Sequence, residues 1–182
     1  MGFALAKVAA ALAAEVILIS GPVSLQTPEN VSRIDVVSAK DMFDAVNSEF
    51  SNTDIFIFSA AVADFTPIST FQGKIKKSKE NFNFTIHLKQ TDDILANIGL
   101  RKGKNQIVVG FALESNNELE NGWKKLKEKN CDFIVLNSIN KPNSGFNSDL
   151  NTITILKKDG TQINFPAMTK NECAIEIFKQ II

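Results

Sequence analysis

Several stretches of this 182-residue sequence set residue types at spacings that suit ligand chemistry. Ser59, Ala60, Ala61, Val62, Ala63 and Asp64 follow directly on an apolar run. Small side chains there let backbone groups approach a ligand closely. The Asp64 carboxylate ends the run within reach of sugar hydroxyls or an exocyclic amine, although a tight turn with a solvated aspartate fits the same residues. Ten residues on come Lys74, Ile75, Lys76 and Lys77. Ile75 can anchor the segment while the lysines reach outward, and a compact ammonium suits phosphate. One such contact at about 4 Å is worth roughly 4 kcal/mol at an effective dielectric near 20, before desolvation. Displacement of pyrophosphate at phosphorus needs that kind of charge. A solvated lysine cluster is the plain alternative.

Thr91, Asp92, Asp93, Ile94 and Leu95 open a helix, whose free N–H groups can meet a ligand; the two aspartates can equally cap it and would repel phosphate. Gly110, Phe111 and Ala112 end a buried strand, so Phe111 is either a stacking surface or core. Lys125 and Lys129 share one helix face, as solvated surface lysines also do. The single histidine, His87, falls on the polar face of an alternating strand with no triad-like company. Cys131 and Cys173 lie in apolar surroundings without metal-type spacing and read as small buried hydrophobes.

The elements that must position these residues alternate. A helix from Gly2 to Ala14 leads into a strand, Glu15–Ser20, and a second strand spans Arg33–Val37. Ser38 begins a helix with Asp41 in a capping-box position. Asp54–Ser59 is apolar enough to be covered on both faces. A short helix, Asp92–Ile98, precedes a strand at Gln106–Ala112, a helix at Asn117–Lys129 and a strand at Phe133–Leu136. This rhythm predicts a single α/β domain with a Rossmann-like, doubly wound, mostly parallel sheet and right-handed crossovers. Ligands of such sheets gather beyond the carboxyl ends of the strands. Two segments break the rhythm. Asn81–Leu88 alternates with Phe82, Phe84, Ile86 and Leu88 on one face, as a half-exposed strand would. Asn151–Leu156 alternates too, and Asp159-Gly160 turns it into Thr161–Phe165, a β-hairpin extension near the C-terminus. A last helix starts near Thr169, capped with Glu172 at the third position.

With 44% hydrophobic and 22% charged residues, the composition is that of a globular protein. Twenty basic residues balance twenty acidic ones, which argues against wholesale binding of nucleic acid. No apolar run reaches membrane-spanning length. Met1–Ala14 lacks the basic start of a signal peptide, so it reads as a core helix of a cytoplasmic protein.

In order and spacing, SGPVSL (Ser20–Leu25), AAVADF (Ala60–Phe65), KIKK (Lys74–Lys77), DIL (Asp93–Leu95), GFALES (Gly110–Ser115), KEKNCD (Lys127–Asp132) and GFNSDLN (Gly145–Asn151) resemble the bacterial phosphopantothenate–cysteine ligase family, over nearly the whole chain. The resemblance implies a two-step ligation in coenzyme A biosynthesis. Phosphopantothenate attacks the α-phosphate of CTP with Mg²⁺ present, giving an acyl-cytidylate and pyrophosphate; cysteine then takes the acyl group and releases CMP. It implies nucleotide contacts at Phe58, Ser59, Ala60, Asp64, Lys74, Asp92, Asp93, Ile94, Leu95, Phe111, Lys125 and Lys129, with Lys74 the catalytic cation and no protein metal ligands. It also implies a mobile flap over Ser78–Asn81, a homodimer and, in many bacteria, a flavin-dependent decarboxylase fused upstream.

Two departures matter. Members often carry Asn-Pro-Asp-Ile where this chain has Thr91, Asp92, Asp93 and Ile94. They also carry, ahead of Met-Gly, a strand and a loop of the form GGT-x-E followed by Asn-x-Ser-Ser-Gly-Lys, whereas Met1-Gly2 opens this sequence. The expectation is a sheet that lacks a central strand, an unpaired edge near Ile17, and weak or absent turnover by the chain alone. Two other readings stay open. One is a nucleotide-binding or dimerising remnant. The other is a nicotinamide-dependent oxidoreductase, against which stands the missing Gly-x-Gly-x-x-Gly turn after Ser20.

Overall fold

The computed structural model describes residues 1–75, 84–114, 117–138 and 150–182. Its centre is a five-stranded sheet in the order β3 (Ile55–Phe58), β6 (Ile107–Glu114), β7 (Phe133–Ser138), β8 (Leu150–Lys157), β9 (Gln162–Thr169). The first three strands are parallel, and β8 and β9 form the antiparallel hairpin extension, closed at Gly160 and irregular between Thr152 and Thr154.

Side chains along the parallel strands divide between two apolar layers. Val108, Ile134 and Leu136 join Val46, Ile94, Ile98 and Leu126 on one face. There they meet α2 (Ala39–Ser48), α3 (Ile94–Arg101) and α4 (Glu118–Glu128). Val109, Val135, Ile153 and Ile155 join Leu5, Cys173, Ile177 and Phe178 on the other, beneath α1 (Gly2–Ala11) and α5 (Lys170–Ile181). Burial on both sides is why these strands are apolar throughout, and it makes the fold doubly wound as the element rhythm predicts.

Local chemistry sets the helix starts. Ser38 and Asp41 form a reciprocal capping box on α2, and Thr169 and Glu172 form another on α5, both as expected. Cys131 and Cys173 are fully buried, and burial pushes their thiols up to about 12 and about 11.

Other elements differ from the sequence reading. The second strand, β2, covers Val31–Asp35 rather than Arg33–Val37, and pairs in parallel with β1 (Val16–Ser20). Helix α1 ends at Ala11, short of Ala14, and Ala13 lies at φ +62°. Helix α3 starts at Ile94 rather than Asp92, because the Asp93 side chain accepts from the Ala96 N–H at 2.8 Å and thereby becomes the cap. The alternating segment is a strand only over β5 (Leu88–Gln90), where β4 (Phe65–Pro67) offers an antiparallel partner. Phe84, Ile86 and Leu88 are exposed, and no helix among the described residues covers their face. Residues 81–83, and Phe82 with them, lie outside the described residues.

β1 and β2 form a sheet of their own, with no ladder hydrogen bonds to β3. Helix α1 nevertheless packs on β1 and, through Leu5, on the five-stranded sheet, while Ile19 of β1 joins the core around Phe56.

The α3–α4 layer depends on one close approach. A Cβ on Gly99 would lie 1.9 Å from the Lys129 carbonyl oxygen, and Asn130 Nδ2 donates to the Gly99 carbonyl at 2.7 Å. Gly99→Ala gains about 1 kcal/mol of helix propensity but drives a methyl into backbone, an overpacking cost of about 1–3 kcal/mol or more. The variant should therefore be less stable, with a lower urea midpoint at unchanged slope. An unchanged midpoint would show that the two backbones separate freely.

Candidate active site

The carboxyl ends of β3 and β6 face the start of α3, and the small residues after β3 define the floor between them. Ser59 is half-buried there, with its Oγ 3.0 Å from where a Cβ on Gly2 would stand, so α1 begins against the end of β3. Ala60, Ala61 and Ala63 are exposed. Thr91 clasps this loop: its Oγ1 donates to the Ala63 carbonyl at 2.7 Å and its N–H to the Asp64 carbonyl at 2.9 Å. The loop after β3 and the entry to α3 are thus one tied unit, with the Asp64 carboxylate left exposed.

Behind the clasp, Gly110 lets α3 settle on β6. A Cβ there would stand 2.9 Å from Leu95 Cδ2 and 2.8 Å from Ile134 Cδ1. Phe111, the next residue, is half-buried against the α1 and α5 layer. Its carbonyl accepts from Lys125 Nζ at a long 3.4 Å. Lys129 Nζ, one turn on, pairs with Asp93 Oδ2 at 2.6 Å. Burial works against the Asp93 anion, yet the Lys129 hydrogen bond and the Ala96 amide outweigh it and hold the carboxyl below its ordinary value of 3.8.

The expected site residues therefore divide. Phe58, Ser59, Ala60 and Asp64 stand at one strand end, and Asp93, Ile94, Leu95, Phe111, Lys125 and Lys129 converge beside it. Ile94 is buried core rather than ligand surface, whereas Asp92 is exposed. Lys74, which follows Gly73 at φ +116°, is exposed and makes no ion pair among the described residues. Ile75 does not anchor its segment among the described residues: it is 52% exposed. Lys76, Lys77 and the expected flap at Ser78–Asn81 lie outside the described residues. Among the described residues no three His, Cys, Asp or Glu side chains cluster as metal ligands.

Two polar groups escaped the sequence reading. Asn137 Oδ1, at the carboxyl end of β7, and Asn151 Oδ1, on β8, are buried without a hydrogen-bond partner among the described residues. Pairing of Asn137 with Ile153 puts both amides on the same sheet face as Ile153. A buried carbonyl without a donor costs about 1–3 kcal/mol, which makes these two acceptors notable at a ligand end of the sheet. The readable signal was an asparagine closing the apolar run Phe133–Leu136.

Comparison with known proteins finds relatives along the whole chain. Residues 1–182 match the model of the DNA/pantothenate metabolism flavoprotein C-terminal domain. The chain is 46% identical over 182 residues to the coenzyme A biosynthesis bifunctional protein CoaBC of Bacillus subtilis (strain 168), covering 100% of this chain and 44% of that protein. It is also 46% identical over 183 residues to a cysteine/cysteine sulfinic acid decarboxylase of an unknown prokaryotic organism, covering 100% of this chain and 50% of that protein. The crystal structure of the C-terminal domain of a CoaBC protein superposes with a TM-score of 0.82 at 40% identity, over 99% of this chain and 79% of that one. The chain thus spans about half the length of the curated relatives it matches.

Asp93 carries a cap and an ion pair that substitution can separate. Asp93→Ala should cost about 1 kcal/mol through the lost cap, while Asp93→Asn keeps a capping oxygen and gives up only a half-exposed pair worth about 0–1 kcal/mol. With its native pKa depressed, the pair's contribution is present above the unfolded value and disappears as pH falls through the native one. The stability gap between wild type and Asp93→Asn, read from urea midpoints, should therefore close below pH 3.8. A gap constant with pH would show that the charge contributes nothing.

Proposed function

Because the chain belongs to the DNA/pantothenate metabolism flavoprotein C-terminal domain family, we propose that it is the phosphopantothenate–cysteine ligase module of coenzyme A biosynthesis, consuming CTP. The observation that carries this reading is the convergence of the clasped Ser59–Asp64 loop, Phe111 and the α4 lysines at one end of a doubly wound sheet, within a whole-length family match.

The residues divide the work as follows. The small side chains of Ser59, Ala60 and Ala61 admit the nucleotide to the backbone, and Asp64 accepts from its sugar hydroxyls. Lys74 is the catalytic cation at the triphosphate, free to move because nothing described pairs with it. Lys125 can leave its long contact with the Phe111 carbonyl for a phosphate oxygen at little loss. Lys129 already has Asp93, so it acts through its field and by fixing the start of α3. The phosphopantothenate carboxylate attacks the α-phosphorus, and the bond to pyrophosphate breaks. The amine of cysteine then attacks the acyl carbon, CMP leaves, and the amine's proton passes to solvent. Asn137 and Asn151 supply buried acceptors for donor groups of a substrate. Mg²⁺ would arrive with CTP, held largely by phosphate and water, and the exposed Asp64 and Asp92 are suitable carboxylates. When bound, it would neutralise charge on the triphosphate.

The separated edges of β1 and β3 suit one more parallel strand. The module is cytoplasmic and accompanies a fused decarboxylase. It acts as a homodimer, joined through the uncovered apolar ribbon at β4 and β5. Phe65, Ile68, Phe71, Ile75, Phe84 and Ile86 are each more than half exposed there. Together they offer several hundred Å² of apolar surface, in the range of the roughly 800 Å² per partner of a stable interface.

Pyrophosphate release with phosphopantothenate, cysteine, Mg²⁺ and CTP tests the reading, on the chain as given and on one extended by a strand and loop ahead of Met1. Release that needs phosphopantothenate, prefers CTP to ATP and falls about 100-fold or more in Lys74→Ala would support it, since a lost contact to a transition-state charge costs about 3 kcal/mol. Release from neither chain would remove the ligase, and equal release from both would remove the added strand. The dimer has its own measurement. Sedimentation should give twice the 20.0 kDa mass of the chain, reverting to monomer in Phe71→Asp with Phe84→Asp; a wild-type monomer would count against the ribbon.

A further inference from the structure

A second concavity lies apart from the strand ends, between the outer part of α4 and the β8–β9 turn. It has a volume of about 470 Å³, inside the roughly 300–1,000 Å³ range of small-molecule sites. Its apolar side is the partly buried Trp123, with the buried Leu126 and Cys131 behind it, and its polar rim is Lys127, Asn130 and Lys158. Among the described residues no carboxylate lines it. Asp159, in the adjoining turn, spends its carboxylate on the Thr161 N–H at 2.8 Å. Asp132 is engaged by Lys102 and by the Val108 N–H, and Glu128 lies toward Lys124.

The rim is held in place. Asn130 sits at φ +48°, donates through Nδ2 to the Gly99 carbonyl at 2.7 Å, and accepts at Oδ1 from Lys158 Nζ at 3.0 Å. The backbone N–H of Lys158 donates to the Asp132 carbonyl at 2.9 Å. The Lys158 ammonium is therefore fixed at the mouth with donors to spare, and neither it nor Lys127 has an anionic partner among the described residues. An indole wall with two uncompensated ammonium groups fits a flat apolar body bearing one negative charge.

We infer that this cleft is a binding site for a small planar aromatic anion, separate from the nucleotide end of the sheet. The inference is independent of the ligase reading.

Trp123 is the only tryptophan in the chain, so its emission reports on the cleft directly. Naphthalene-2-carboxylate is the probe and its neutral amide the control, each titrated without and with saturating CTP. The expected result is saturable quenching by the carboxylate. Binding should be about fivefold weaker for the amide, and about fivefold weaker again for the carboxylate on a Lys127→Gln, Lys158→Gln variant, as loss of exposed charge contacts implies. Both lysines are exposed, so the variant should fold, with its circular dichroism as the check. Absence of saturable quenching, equal affinity for carboxylate and amide, indifference to the double substitution, or displacement by CTP would each overturn the proposal.

Discussion

Burial of β6 and β7 on both faces is the constraint on which the rest of the molecule depends. Val108, Val109, Ile134 and Val135 have no accessible surface. Adjacent residues on a strand point to opposite sides, so only helices on both sides can produce that result. The lengths of chain between parallel strands must then form α3 and α4 on one face, and α1 and α5 must cover the other. Once those crossovers run the same way, every loop that follows a parallel strand emerges at one end of the sheet. The grouping of Ser59, Phe111 and Asn137 at that end follows from the core and not from any attraction among the three.

Within this frame the site is tensioned by a few polar ties. Thr91 joins the loop after β3 to the start of α3, and Asp93 joins that start to α4 through Lys129. Gly99 and Asn130 close the other end of the same helix pair. Helix α3 is thus held at both ends against α4. Displacing Lys129 from Asp93 would loosen the same helix start that the Thr91 clasp steadies. Lys125, with one long contact to a carbonyl, carries no such structural duty and is free to serve a ligand.

Much of this was legible because it is written in periodicity and caps. The apolar runs marked β3, β6 and β7, and Ser38 with Asp41 and Thr169 with Glu172 marked two helix starts. Element ends were less legible where two local rules competed. Asp92 and Asp93 are equally good caps by type, and the choice of Asp93 depends on Lys129, 36 residues away. The segment through Phe84, Ile86 and Leu88 has the alternation of a strand, but alternation cannot say whether anything covers the apolar side. The same blindness made Ile75 look like an anchor. Asn137 and Asn151 were invisible for a converse reason: an amide within a strand acquires meaning only when its neighbours are seen to leave it without a donor.

The break between β1 and β3 can be weighed in the same physical terms. A parallel strand edge presents N–H and C=O groups that water can satisfy, so an open edge is tolerable, yet each ladder bond formed in its place would add about 0.5–1.5 kcal/mol net. Among the described residues β1 and β2 have only each other as strand partners, and they meet the rest of the protein through α1, α2 and the contact of Ile19 with the core. This pair is therefore the part of the sheet with the least to lose by separating, and local opening should begin there before it reaches β6 or β7. Ser20, Gly21 and the residues that follow β1 border the same end of the molecule as Ser59. Precision at the nucleotide end consequently depends on how firmly the two-stranded piece is fixed. A strand seated between β1 and β3 would fix it through two ladders at once, and would bind the start of α1, already against Ser59, into the same rigid edge.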